Sequence, residues 1–207
     1  MLVRPSKIVC VGRNFREHAK ELGNDVPAEP LLFLKPPSAI VRDGDPIVLP
    51  AQSVRVEFEG EIGVVIGSRL SHAGPTAALA AIGAVIAAND VTARDLQKKD
   101  SQWTRAKGFD SFCPLGEPGG NPAVGLEGLT VVTRVNGVER QRATAREMVF
   151  GIPDLLSYIS RVMTLEPNDV VLTGTPAGVG TISDGDEVEV EIVGYSRVRN
   201  PVRNRPA

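Results

Sequence analysis

The chain is predicted to be a β-rich α+β protein, a mostly antiparallel, barrel-like or sandwich-like body with short helices at its margin. Three observations predict it. Short apolar runs outnumber helical patterns along the sequence. Asn136 and Gly137 form a two-residue turn signal between alternating segments. Adjacent strand–helix–strand units are scarce, which argues against a doubly wound parallel sheet. The length of 207 residues supports one substantial core. Residues 1–207 are therefore read as a single domain, with residues 1–50 wrapping around the body.

Lys7 to Val11 is a short apolar run ended by Gly12. Beyond it Phe15, Ala19 and Leu22 share one helical face, and Gly23 with Asn24 is the stop signal. Residues 25–53 are rich in proline, and their apolar pieces, Leu31 to Leu34 and Pro46 to Leu49, read as extended segments joined by turns. Arg55 to Ile66 reads as one long strand that carries acids first and is then continuously apolar from Ile62 to Ile66, as a strand buried on both faces should be. Pro75 suits the first turn of a short helix, and Gly83 to Ala88 returns as an apolar strand ending at Asn89 and Asp90. Leu129 to Val135 and Val138 to Arg142 flank the Asn136–Gly137 turn as a type I′ hairpin. Leu155, Leu156, Ile159, Val162 and Met163 place a helix over residues 152–163, and Asp169 to Thr173 is a further buried strand. Near the end Val188, Val190 and Ile192 alternate with Glu187, Glu189 and Glu191, giving one apolar and one solvated face.

Composition excludes several classes of function. At 42% hydrophobic and 23% charged, the chain lacks the signature of disorder. Lys and Arg, 23 together, nearly balance 25 Asp and Glu, so no whole-chain field draws in a polyanion and nucleic acid is not an expected partner. Cys10 and Cys113 lack CxxC spacing and histidine neighbours, and read as two buried free thiols. No signal-peptide apolar core opens the sequence and no window of roughly eighteen apolar residues occurs, so a cytoplasmic location away from membranes is expected.

The chemistry concentrates in four places. Glu57, Glu59 and Glu61 alternate, so they share one face of a strand immediately before it enters the core. An exposed acidic stripe, as at Glu187 to Glu191, is the competing reading. Carboxylates at the mouth of a core strand instead suit a cation, and Asp90, also at the end of an apolar strand, can supply a third ligand. A set of carboxylates without His or Cys favours Mg2+, Mn2+ or Ca2+ over zinc. Three carboxylates on a dication leave a negative site, for which Arg13, Lys35, Arg94 and above all Lys107 are candidate compensating charges. His18 and Glu21 stand three apart on the predicted helix, so the carboxylate can orient the imidazole as a proton acceptor, although an ordinary surface pair has the same spacing. His72, in a turn, is read as structural. The glycine-rich loop from Gly174 to Gly180 lacks both the Lys-Ser/Thr of a P-loop and the G-x-G-x-x-G pattern, so nucleotide is not expected. Its N–H groups and the Thr175 hydroxyl can receive a carboxylate or simply close a tight turn.

Taken together, Val11 to His18, Leu32 to Pro36, Glu59 with Glu61, Asn89 to Gln97 and Thr173 to Gly180 resemble the fumarylacetoacetate hydrolase family, in particular its short acylpyruvate hydrolase and oxaloacetate decarboxylase-like members. The resemblance spans nearly the whole chain. It implies the family's β-rich fold, a mixed β-barrel or roll with short peripheral helices, a homodimer, and Mg2+ or Mn2+ bound by Glu59, Glu61 and Asp90. It also implies that His18 and Glu21 form a water-activating pair on a helix closing over the substrate, and that Lys107 stabilises an anion. Thr175 looks like a carboxylate contact and, with Gly174 and Arg13, makes up the expected substrate-binding set. The implied activity is metal-dependent hydrolysis of a carbon–carbon bond in a small 2,4-dioxo acid such as acetylpyruvate or fumarylpyruvate. Oxaloacetate decarboxylation and isomerisation or decarboxylation of 2-hydroxyhepta-2,4-diene-1,7-dioate share the same enolate, and a catalytically silent metal-binding homologue is the remaining alternative. Phe58 and Glu57 depart from relatives that carry histidine, tyrosine or aspartate there, which bears on how the metal ligands are supported.

Overall fold

A computed structural model describes residues 4–21, 23, 25–120 and 125–205. Two five-stranded sheets make up the body. The first runs from edge to edge through Leu31–Lys35, Ile8–Gly12, Val170–Leu172, Gly60–Ile66 and Ile82–Asn89, with one parallel pair, Ile8–Gly12 on Val170–Leu172. The second runs through Val138–Thr144, Thr130–Val135, Glu187–Ile192, Ser196–Asn204 and Ile47–Leu49, with the last pair parallel. Helices are short, and Ile152–Val162 is the longest described. The sheets are mixed and open, so the expected barrel or roll takes the form of packed sheets without closure.

Hydrophobic burial on both faces of the first sheet holds this arrangement. On one face Val9, Ile62, Val64 and Val85 meet Val131, Val190 and Ile192 of the second sheet and Leu155, Leu156 and Ile159 of the longest helix. On the other, Ile8, Cys10, Ile86 and Leu172 lie under Ala39, Cys113 and Leu115. Double burial is why Ile62 to Ile66 is apolar at every position. Both cysteines are buried and free. In the second sheet, Val188, Val190 and Ile192 point inward while Glu189 and Glu191 pair with Arg134 near the surface. Asn136 and Gly137 adopt φ of 51° and 76°, as a type I′ turn requires, with Val135 opposite Val138. The short N-terminal helix is Arg16–Glu21. Leu22 and Asn24, expected at its end, lie outside the described residues, and Gly23 has the positive φ of a helix terminator. Among the described residues no helix is long and apolar enough to cross a membrane.

The long strand expected over residues 55–66 is broken at Glu59. Val56–Phe58 belongs to a separate three-stranded sheet, in the order Gly180–Thr181, Val56–Phe58, Thr92–Ala93. That order repeats Val170–Leu172, Gly60–Ile66, Ile82–Asn89 in the first sheet, so three neighbouring strands each cross a common seam. The crossings are residues 173–179, Glu59, and the Asp90–Val91 pair. At the seam the backbone turns to side chains for hydrogen bonds. The Glu59 N–H donates to Asn89 Oδ1 at 2.9 Å and the Gly60 N–H to Gln141 Oε1 at 3.0 Å. Gly60 is glycine for steric reasons, since a Cβ there would stand 1.8 Å from Thr133 Oγ1 of the second sheet.

Thr133 Oγ1 is buried without a hydrogen-bond partner among the described residues. An unpaired buried hydroxyl is destabilising, and valine has nearly the same shape. Thr133→Val should therefore stabilise the protein by about 1 kcal/mol, raising the melting temperature by roughly 2–4 °C. A melting temperature at or below that of the parent protein would contradict this account.

Candidate metal centre and active site

Glu59, Glu61 and Asp90 converge at the seam. They are buried, and each offers an oxygen within 4.8 Å of the other two. Two antiparallel neighbours bring them together: the Asp90 N–H donates to the Glu59 carbonyl at 2.8 Å where both strands change sheets. Glu57, two residues earlier on the other side of the break, is not one of the converging acids and is linked to Glu59 through Arg94. Its carboxylate accepts Arg94 Nε at 2.7 Å and Arg55 Nε at 2.6 Å.

Buried cations accompany the acids unevenly. Lys107, at the end of the Thr104–Lys107 helix, places Nζ 2.7 Å from both Glu59 Oε2 and Asp90 Oδ2. Lys35, at the end of an edge strand, reaches Asp90 Oδ1 at 2.6 Å and the Val91 carbonyl at 3.0 Å. Arg94 opens the Arg94–Lys99 helix and donates to Glu57, Glu59 and Gln97. Glu61 has no such partner among the described residues; its hydrogen bond comes from the Gly174 N–H at 2.7 Å.

The proton equilibria follow this distribution. Burial alone would raise the Glu59 pKa, but Lys107 and Arg94 hold it well below the usual carboxylate range. Burial, with Asp90 and Glu59 adding repulsion, pushes Glu61 well above that range. Burial disfavours the Lys107 ammonium, yet Asp90 and Glu59 outweigh it and keep that group charged. The cluster is thus short of positive charge at Glu61, and its donors are hard oxygens. The residues fit a hard divalent cation.

A cavity of about 440 Å³ opens on the three acids. His18 lines it, only 5% exposed, with Nδ1 3.4 Å from Glu21 Oε2. Burial lowers the His18 pKa below its ordinary value against the opposing pull of Glu59 and Glu21, which leaves the ring neutral at pH 7. Glu21 in turn accepts the Gly178 N–H at 3.1 and 3.2 Å, docking the helix on the glycine-rich loop. Gly174 in that loop has φ of 101°, and a Cβ would stand 2.8 Å from Asn14 Cβ, so only glycine fits. The Thr175 hydroxyl donates to the Gly60 carbonyl at 2.9 Å and accepts from Gln141 Nε2 at 2.8 Å. No acceptor meets the Thr175 N–H among the described residues. Arg13, at φ of 58° just past the first strand, also lines the cavity and makes no ion pair among the described residues.

Sequence reasoning missed Gln97, Trp103 and Gln141. The first two stand on the cavity wall from the short helical segments after Asp90, where no periodicity marks them. Gln141 comes from the second sheet and reaches the site through the Gly60 N–H, the Thr175 hydroxyl and the Pro176 carbonyl. His72 lies outside the cavity wall, in keeping with a structural reading.

The chain that carries this seam, acidic cluster and cavity matches a known family. Residues 7–203 match the fumarylacetoacetate (FAA) hydrolase C-terminal domain, and the chain is a member of the fumarylacetoacetate hydrolase family. The mitochondrial oxaloacetate tautomerase FAHD1 of Arabidopsis thaliana is 40% identical over 99% of this chain and 94% of its own. The 2-hydroxyhepta-2,4-diene-1,7-dioate isomerase of Mycobacterium marinum superposes with a TM-score of 0.90 at 43% identity, covering 99% of this chain and 77% of that one. The fumarylpyruvate hydrolase of Pseudomonas aeruginosa, in complex with Mn2+ and pyruvate, gives 0.91 at 28% identity over 97% and 91%. These relatives are thus a tautomerase, an isomerase and a hydrolase.

Proposed function

We propose that this chain hydrolyses the C3–C4 bond of a small acylpyruvate, giving pyruvate and a carboxylic acid, with a divalent cation held by Glu59, Glu61 and Asp90. The observation that carries the reading is the His18–Glu21 pair opening on the same cavity as the three acids. A cation bound there supplies Lewis-acid polarisation of the 2-oxo group and stabilises enolate charge.

The protein's own groups do the remainder. The Thr175 N–H, shaped by Gly174, receives the substrate carboxylate, and Arg13 offers a charge to the far end of the substrate. His18, neutral and oriented by Glu21, removes a proton from water, and the oxygen adds to the C4 carbonyl. The C3–C4 bond then breaks, its electron pair passes to pyruvate as the enolate, and His18 returns the proton to C3. Lys107 stabilises the negative charge that develops on the attacked oxygen.

A second reading, oxaloacetate tautomerisation, is favoured by the 40% identity to the Arabidopsis tautomerase. There His18 would shift a proton between C3 and the 2-oxo oxygen without adding water. Oxaloacetate decarboxylation and isomerisation of 2-hydroxyhepta-2,4-diene-1,7-dioate use the same enolate. Initial rates with Mn2+ on acetylpyruvate, fumarylpyruvate and both tautomers of oxaloacetate separate these cases. Pyruvate release from the acylpyruvates is the expected result, and turnover of oxaloacetate alone would overturn hydrolysis.

A further inference from the structure

We infer that Gln141 is a positioning residue for the metal centre, setting the spacing between the Glu59–Glu61 pair and the substrate loop; this rests on the reading of that cluster as a cation site. Gln141 stands on the second sheet, opposite Thr133, and is 2% exposed. It does not itself line the cavity, yet each polar atom of its amide is committed at the seam. Oε1 accepts the Gly60 N–H at 3.0 Å, and Nε2 donates to Thr175 Oγ1 and to the Pro176 carbonyl, both at 2.8 Å.

Gly60 lies between two of the three candidate ligands, so what fixes its peptide planes fixes how their side chains leave the backbone. Gln141 holds its N–H, and Thr175, itself held by Gln141, donates to its carbonyl. The same amide anchors the loop whose Gly174 N–H binds Glu61 and whose Gly178 N–H binds Glu21. One side chain from the opposite sheet therefore links the acids, the Thr175 N–H and the helix bearing His18. Partners that orient metal ligands commonly change metal affinity by about 10–100-fold when removed. Acting through a backbone, Gln141 belongs at the lower end.

The test uses the full-length protein and compares Gln141→Met, which keeps the length and removes all three bonds, with Gln141→Glu, which keeps an acceptor for the Gly60 N–H but cannot donate to Pro176 when ionised. Calorimetry reads Mn2+ affinity and, at saturating Mn2+, the affinity for oxalate, an enolate mimic. For Gln141→Met the expected result is Mn2+ binding weakened about tenfold and oxalate binding weakened at least as much. For Gln141→Glu, Mn2+ binding should recover toward the parent value while oxalate binding stays weak. A merely structural role would lower the melting temperature and the active fraction but leave both affinities and KM unchanged; that outcome in folded Gln141→Met overturns the inference. Should that variant not fold, parental oxalate affinity in Gln141→Glu overturns it instead. If the parent protein binds no Mn2+, the cation-site reading fails first, and the inference falls with it.

Discussion

Glu61→Gln should abolish cation-induced stabilisation and lower turnover by about three orders of magnitude, while leaving the metal-free protein as stable as the parent or more so. The loss corresponds to several kcal/mol of electrophilic stabilisation. Retained stability follows from the ion pairing. No lysine or arginine among the described residues depends on Glu61, and burial already disfavours its charged form. A neutral amide can still accept the Gly174 N–H and can donate to a neighbouring carboxylate. Asp90→Asn is the contrasting case, because it weakens the partner of both Lys35 and Lys107. Breaking a buried pair from one side costs about 3–5 kcal/mol, so this variant should melt well below the parent before any metal is added. Melting curves of both variants with and without Mn2+ check the pair of outcomes. If Glu61→Gln still shifts with Mn2+, the three acids are not the cation site.

Replacing His18 by alanine should reduce acylpyruvate hydrolysis about 10²–10⁴-fold without changing Mn2+ affinity, as loss of a general base does. The pH profile sharpens this. The neutral ring is the base, so kcat/KM is level above the His18 pKa and falls tenfold per pH unit below it. Burial lowers that pKa from 6.5, so the acidic limb should lie on the acid side of 6.5. Glu21 pulls the other way by stabilising the imidazolium. Glu21→Gln should therefore move the limb further toward acid, with a smaller loss of rate. A limb that moves toward neutral pH in that variant, or one that survives in His18→Ala, would falsify the base assignment.

Much of this arrangement can be read along the chain because it is local. Alternation from Glu57 to Glu61 and the apolar run after it announce a strand carrying acids into the core. The Asn136–Gly137 pair dictates its turn through positive φ. The break at Glu59 is not legible, since strand periodicity continues across it and only the change of neighbouring sheet interrupts the ladder. The Ser196–Asn204 strand was missed for a related reason. Val198 and Val202 face inward, but the buried residue between them is Asn200, whose amide donates to the Arg42 and Asp45 carbonyls. A polar residue at an inward position hides the alternation that would reveal the strand.

By itself the sequence determined the β-rich character, the doubly buried strand, the hairpin and which acids and histidine are candidates for chemistry, because residue type and spacing set local conformation and the face each side chain occupies. Tertiary structure alone decided that Glu59 and Asp90 cross one seam side by side, that Lys107 and Lys35 serve Asp90 while Glu61 lacks a cation partner among the described residues, and that Gln141 reaches the site from the opposite sheet. Periodicity names a face without naming what lies across from it. That depends on how two sheets pack, and here on a glycine small enough to let the second sheet touch the backbone between two carboxylates.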